Sequence, residues 1–437
     1  MAYYIIDKES LYKLADAIRT KLGISTKMNF PNDFIYYIKN RIVAKKDTLS
    51  SKIDGSLTRY TNNNITYLPE YAFHYCGTIT NVSFPECTSI GKNAFSWCTA
   101  LTKLNFPKCL VINTEAFRSN NKLTTISFPT CTTIGESAFH YCEALTNVNF
   151  PDCTSIGKNA FNKCKSLPSI NFPICIRVEE GAFNNCTSLT DINLPKCEYV
   201  GKLSFVNCSS LVSVTLPECT RIDEKGFAFN DALVSVNFPK CTHIDYWAFS
   251  GNDVLTDVNL PECDYVDCYA FEECVSLSTI SLPKCTDISM FTFNGCTSLT
   301  TVYLPQCTAI DYCGFKDCTS LTIIDLPKCR TIDGYVFENC TSLTTVKLRI
   351  DYQGHIQHGV FKNCVKLSEI YLYSPSVLWS LTDVDAFEGT PFAGNTTEFS
   401  GTPCIYVPSK LLESYKVAEN WSEFAQYFRS LDEAPVE

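Results

Sequence analysis

The chain is 437 residues long, more than one hydrophobic core ordinarily serves, so it is either several domains or an elongated repeat array. Its formal net charge of −10 argues against a nucleic-acid partner, because phosphate binding needs clustered Lys and Arg. No apolar stretch approaches a membrane span, and Met1 to Ile6 has neither the basic start nor the apolar run of a secretory signal, so synthesis in the cytoplasm without membrane insertion is expected.

The first 45 residues read as a small helical module. Asp7 can cap a helix whose apolar positions Leu11, Leu14, Ala15, Ile18 and Leu22 follow helical spacing and which Gly23 stops. A second helix is expected after Pro31, burying Phe34, Ile35 and Ile38. Residues 46–57 then form a polar linker.

From residue 58 to 372 one pattern repeats. Prolines fall at 85, 107, 129 and onward to 327, twelve in a row at a constant step of 22 residues. Around each runs L-T-x-[VI]-x-[LF]-P-x-C-T-x-I-x-x-x-A-F-x-x-C-x-S, as from Leu299 through Pro305, Cys307, Ile310 and Phe315 to Cys318. Alternation at Leu101, Leu104 and Phe106 predicts one short strand per coil, ended by the proline, which lacks a ladder donor. The run Ile156 to Phe161 is too short for a full helix and predicts a single helical turn that returns the chain. Successive coils then stack as a right-wound repeat solenoid, with a parallel β-sheet on one face and short helical turns on the other. One coil cannot offset the entropy of ordering its own backbone, so stability must come from stacking. Two longer coils follow, marked by Phe361 and Phe387.

Twenty-six cysteines would suggest disulfides in a small secreted domain, but their placement does not. One column lies two residues after each proline, from Cys87 to Cys329. Another lies three residues after each phenylalanine, from Cys76 to Cys364, with Asn120, Asn230 and Asn252 standing in for cysteine. Asparagine forms no disulfide and gives zinc no thiolate, but it shares with cysteine small size and the ability to hydrogen-bond turn backbone, so both columns read as buried structural ladders. Cys268, Cys313 and Cys404 stand outside them.

After Tyr373 the period lapses. Residues 373–437 are expected to hold irregular last coils and a helical C-terminal cap through Leu411, Tyr415, Trp421, Phe424 and Phe428, with Asp432 to Glu437 disordered.

The repeat leaves little room for chemistry. No catalytic or phosphate-loop motif interrupts it, His355 and His358 lack a third metal ligand, and neither enzyme activity, a cofactor nor a metal is expected. Two sets of positions read as partner-binding. Of the outward strand positions, most are asparagine, but Tyr303, Asp325, Lys347 and Tyr371 near the C-terminal end are aromatic or charged, and exposed Tyr anchors interfaces. Just before each Ala-Phe pair, Trp247, Tyr269, Phe291, Cys313 and Tyr335 should align as a row that stacks on sugar rings or a protein, or that stiffens the coil edges. Beside them Asp223, Asp245, Asp267, Asp311 and Asp333 should cap the helical turns, with calcium as the alternative.

The 22-residue pattern resembles the BspA-like leucine-rich repeats of bacterial surface and bacteriophage proteins. That resemblance implies adhesion or partner binding without shared catalytic residues. Leu11 to Arg19 followed by Phe30-Pro31 is similar to a helical module of tail and other virion proteins from phages of Gram-positive hosts. Together they imply a receptor-binding virion protein made in the bacterial cytoplasm, holding other virion proteins through residues 1–45 and a protein or cell-surface glycan through the solenoid, with a homo-oligomer compatible. A virion spacer and a bacterial adhesin are the alternatives.

Overall fold

The computed structural model describes residues 57–349, 354–394 and 401–435; the module expected over 1–45 lies outside them. The chain divides into two units, Met1–Arg59 and Tyr60–Glu437, and the second is the leucine-rich repeat solenoid.

Each coil contributes two strands, not the single one expected. The first is the three-residue strand of the alternating segment, as in Lys103–Asn105, and the second is a two-residue strand ending on the repeat isoleucine, as in Val111–Ile112. Every described pairing is parallel and in register with the repeat, Val82 beside Leu104 and Ile90 beside Ile112. Two residues are too few for alternation to mark a strand, which is why the second one escapes a reading of periodicity.

The return segment is not helical either. Two residues per coil have positive φ, for example Asn93 at 54° and Trp97 at 62°. Backbone N–H groups alternate in direction: Asn93, Phe95 and Trp97 donate to carbonyls of the next coil at 2.7–3.0 Å, while Ala94, Ser96 and Cys98 donate three residues back. A right-handed helix would aim every N–H along its own axis and leave the neighbouring coil's carbonyls unpaired. The flips into left-handed space keep the coil-to-coil ladder complete.

Inside, the Ala-Phe phenylalanines form an unbroken stack from Phe73 to Phe387, fourteen ring contacts at 5.0–5.8 Å with interplanar angles of 24° or less. Identical repeats put identical rings at one coil spacing, which is itself a stacking distance.

Both cysteine columns are ladders of thiol donors. Cys109 Sγ–H donates to the carbonyl of Val111, and Cys142 Sγ–H reaches back a full coil to the carbonyl of Phe117 at 3.2 Å. Asn120 and Asn252 fill the same place, their amides donating at 3.0 Å to the carbonyls of Phe95 and Phe227. Burial pushes thiols such as Cys142 and Cys208 up to about 12, so they stay protonated donors. None of the 26 cysteines is in a disulfide, and only Cys76, Cys268 and Cys404 are partly exposed; Cys313, expected outside the ladders, is buried. A thiol reagent should therefore count those three in the folded protein and all 26 in denaturant; a native count near the denatured one would mean the ladders open readily.

The lapse after Tyr373 is one of spacing more than of architecture. Cys404–Val407 pairs with Glu369–Leu372, and Phe428–Ser430 pairs with Cys404–Val407 in turn, both parallel. The expected helical tract is one six-residue α-helix, Leu412–Val417, followed by the 3-10 segment Trp421–Tyr427. Its aromatics are core, as expected: Tyr415 Oη accepts from Trp379 N at 2.9 Å and Trp421 Nε1 donates to Trp379 O at 2.7 Å. Asp432, expected to be disordered, accepts hydrogen bonds from Ser409 and Ser430.

Candidate functional site

The row before the Ala-Phe pairs occupies the first left-handed position of each coil: Trp247, Tyr269, Phe291 and Tyr335 have φ of 56–61°. That backbone turns each side chain out of the coil and leaves it half-buried. Trp247 meets Tyr269 at 5.4 Å, and Tyr269 stacks on Phe291 at 4.9 Å and 6°. Cys313, expected in the row, is buried, and Tyr312 bridges the gap at 5.6 Å from Phe291 and 5.7 Å from Tyr335. His358 closes one end, 5.0 Å from Tyr335, and the Lys225 ammonium sits 4.0 Å over Trp247 at the other. Tyr312 and His358 were legible only as aromatics beside the column; which neighbour fills a gap depends on where the coil flips.

This geometry narrows what the row can hold. Tyr269 and Phe291 spend facing ring surfaces on each other, so less ring face is left open than edge. A sugar ring stacks on an aromatic face, whereas a protein surface can pack on edges and meet Tyr hydroxyls.

The remaining candidates are divided. Tyr303 is 56% exposed. Asp325, one coil on, pairs with Arg349 at 3.0 Å. Tyr371 is not exposed as expected: it is 7% accessible, stacked at 4.8 Å on Tyr406 of the added strand. The outward asparagines hydrogen-bond one another or serine along the sheet, Asn193 to Asn171 at 2.8 Å and Asn105 to Ser83 at 2.8 Å, which satisfies them internally.

The aspartate column caps no helix, because the turns are not helices. Asp267 and Asp333 accept from the next backbone N–H at 2.7 Å. Asp245 accepts from Arg221 at 2.6 Å; burial and the Asp223 carboxyl hold it up at about 6. Burial would raise Asp223 too, but hydrogen bonds from Asp245 and Tyr199 outweigh it and leave that carboxyl below its usual range. No group of three or more His, Cys, Asp or Glu side chains among the described residues could hold a metal ion. His355 instead bonds Ser380 at 2.6 Å.

Residues 56–168, 154–274 and 264–389 match the model of the BspA type leucine-rich repeat region. The chain belongs to this family. A leucine-rich repeat protein from Bacteroides ovatus is similar at the level of the fold, with 21% identity over 74% of this chain and 92% of that one and a TM-score of 0.52. A leucine rich cell surface protein from Faecalibacterium prausnitzii shares 20% identity, covering 67% of this chain and 87% of its own, at a TM-score of 0.37. A leucine-rich repeat protein from Eubacterium ventriosum shares 19%, covering 81% and 88%, also at 0.37. No curated protein matches the chain. BspA-type and other leucine-rich repeat solenoids are typically non-enzymatic scaffolds that mediate protein–protein interactions. No helix among the described residues is long and apolar enough to cross a membrane.

Proposed function

We propose that this BspA-type chain is a non-enzymatic binding protein of a bacteriophage virion, a tail component that recognises a protein on the host surface through its solenoid. The observation that carries the binding reading is the continuous aromatic row from Trp247 to His358. Buried stacking already fills the interior, so these half-exposed rings are not needed to close the core. The virion assignment is supported by Leu11 to Arg19 and Phe30-Pro31, with residues 1–45 as the attachment module and synthesis in the bacterial cytoplasm before assembly. A glycan ligand is the weaker reading because the ring faces are occupied.

Two measurements test this. Full-length protein should adhere to host cells, and the variant Trp247→Ala/Tyr269→Ala/Tyr335→Ala should lose roughly tenfold or more in affinity, as expected of interface aromatics, while an antibody to the protein should decorate purified virions. Undiminished adhesion by the variant would remove the row as the binding surface; bare virions would remove the phage assignment and leave a bacterial adhesin. A spacer that binds nothing is favoured by the self-satisfied asparagine ladder, and absence of any adhesion by the wild-type protein would select it.

A further inference from the structure

The charge of this protein is not spread along it. Residues 241–340 hold 14 Asp and Glu against four Lys and Arg, a net of −10. That equals the formal charge of the whole chain, so everything outside these coils balances. The aromatic row occupies the same stretch.

Some carboxylates are neutralised across coils, Glu86 by Lys108 and Glu180 by Lys158 outside this stretch and Glu338 by Lys316 within it. Around the row several are not. Asp267 and Asp333 stand two residues before Tyr269 and Tyr335, Asp311 occupies the same column, and none of the three has an ion-pair partner among the described residues. On the other border Glu272 accepts from Trp247 Nε1 at 3.2 Å. Burial and like charge raise Asp311 and Glu272 above the usual carboxylate range, as expected where nearby cations are missing. Lys225 sits on a ring face at the end of the row. The surface thus sets aromatic edges beside carboxylates that have no ion-pair partner among the described residues.

Resting on the reading of this row as the binding surface, we infer that its occupant is a cationic protein segment, an extended Lys- or Arg-rich stretch laid along coils 245–338. The ring edges would pack against the aliphatic stems, and the bordering carboxylates would pair with the charged heads.

The test uses the full chain and three labelled peptides of equal length, one Lys-rich, one with Gln for each Lys and one with Glu, with binding read by fluorescence anisotropy. The Lys-rich peptide should bind in a salt-sensitive way and the others should not. Asp267→Asn/Asp311→Asn/Asp333→Asn/Glu272→Gln should weaken it roughly tenfold. A control that removes the same charge elsewhere, Glu136→Gln/Asp152→Asn/Asp191→Asn/Glu198→Gln, should bind as the wild type does. If both variants weaken binding equally, the effect is one of overall charge and the proposal falls. If the Ala row variant loses host cells while the four-carboxylate variant keeps both cells and peptide, the binding surface stands and its cationic partner does not. If neither variant loses host cells, both readings fall together.

Discussion

Phe205→Ala should destabilise the solenoid by about 3–5 kcal/mol, the usual cost of emptying a buried Phe site. Phe205 is fully buried and stacks at 5.3 Å on Phe183 and at 5.0 Å on Phe227. Its loss removes both contacts and leaves a gap that backbone hydrogen bonds from the flanking coils hold open, with Phe205 N itself bonded to Gly226 O at 2.9 Å. In a linear array each coil is stabilised by its two neighbours, so a defect midway weakens the coupling between halves as well as the local coil. Guanidinium unfolding followed by circular dichroism should show a lower first midpoint and a broadened or split transition. A single transition at the wild-type midpoint would mean the ring stack contributes little and that the backbone ladders hold the coils together.

Asn230 should be sensitive too, and in a way that separates the hydrogen-bond donor from the acceptor. Its Nδ2 donates to Phe227 O at 2.8 Å and its Oδ1 accepts from Cys208 N at 2.7 Å, while its own N–H donates to Asn252 Oδ1 at 2.9 Å. Asn230→Ala leaves the buried Cys208 N–H without its acceptor, while Phe227 O keeps the Asn252 amide, a loss of about 1–3 kcal/mol for the one orphaned group. Asn230→Cys restores the thiol donor used at Cys208 and Cys274, which reach carbonyls one coil back at 3.3 and 3.2 Å, but not the Oδ1 acceptor, and should cost about 1 kcal/mol less than Asn230→Ala. Thermal melts of the two variants make the comparison. Equal losses would show that neither the thiol donor nor side-chain volume decides the cost, and that the Oδ1 acceptor for Cys208 N is what this coil requires.

The interchange of cysteine and asparagine is legible in the sequence because small size and the ability to hydrogen-bond turn backbone unite the two side chains in fourteen nearly identical settings. The 22-residue step likewise dictated parallel stacking, since identical neighbours align identical apolar side chains and no other arrangement buries them all. Trp247, Tyr269, Phe291, Cys313 and Tyr335 fall together for the same reason: one repeat position means one place on every coil.

What the repeat could not show was any feature set by hydrogen-bond direction or by a neighbour distant in sequence. Strands of two residues carry no periodicity, and the two left-handed residues of each return segment are set by carbonyls 21 residues ahead, which no local pattern marks. Tyr371 was read as exposed because a strand ending at residue 372 leaves its face open; the strand at Cys404–Val407 closes it. Sequence alone thus determined the architecture and the columns, because a period acts on every coil alike. The tertiary structure alone decided the backbone conformation, the bridging of the aromatic row by Tyr312 and the exposure of each candidate, because those depend on what a coil meets across the stacking step.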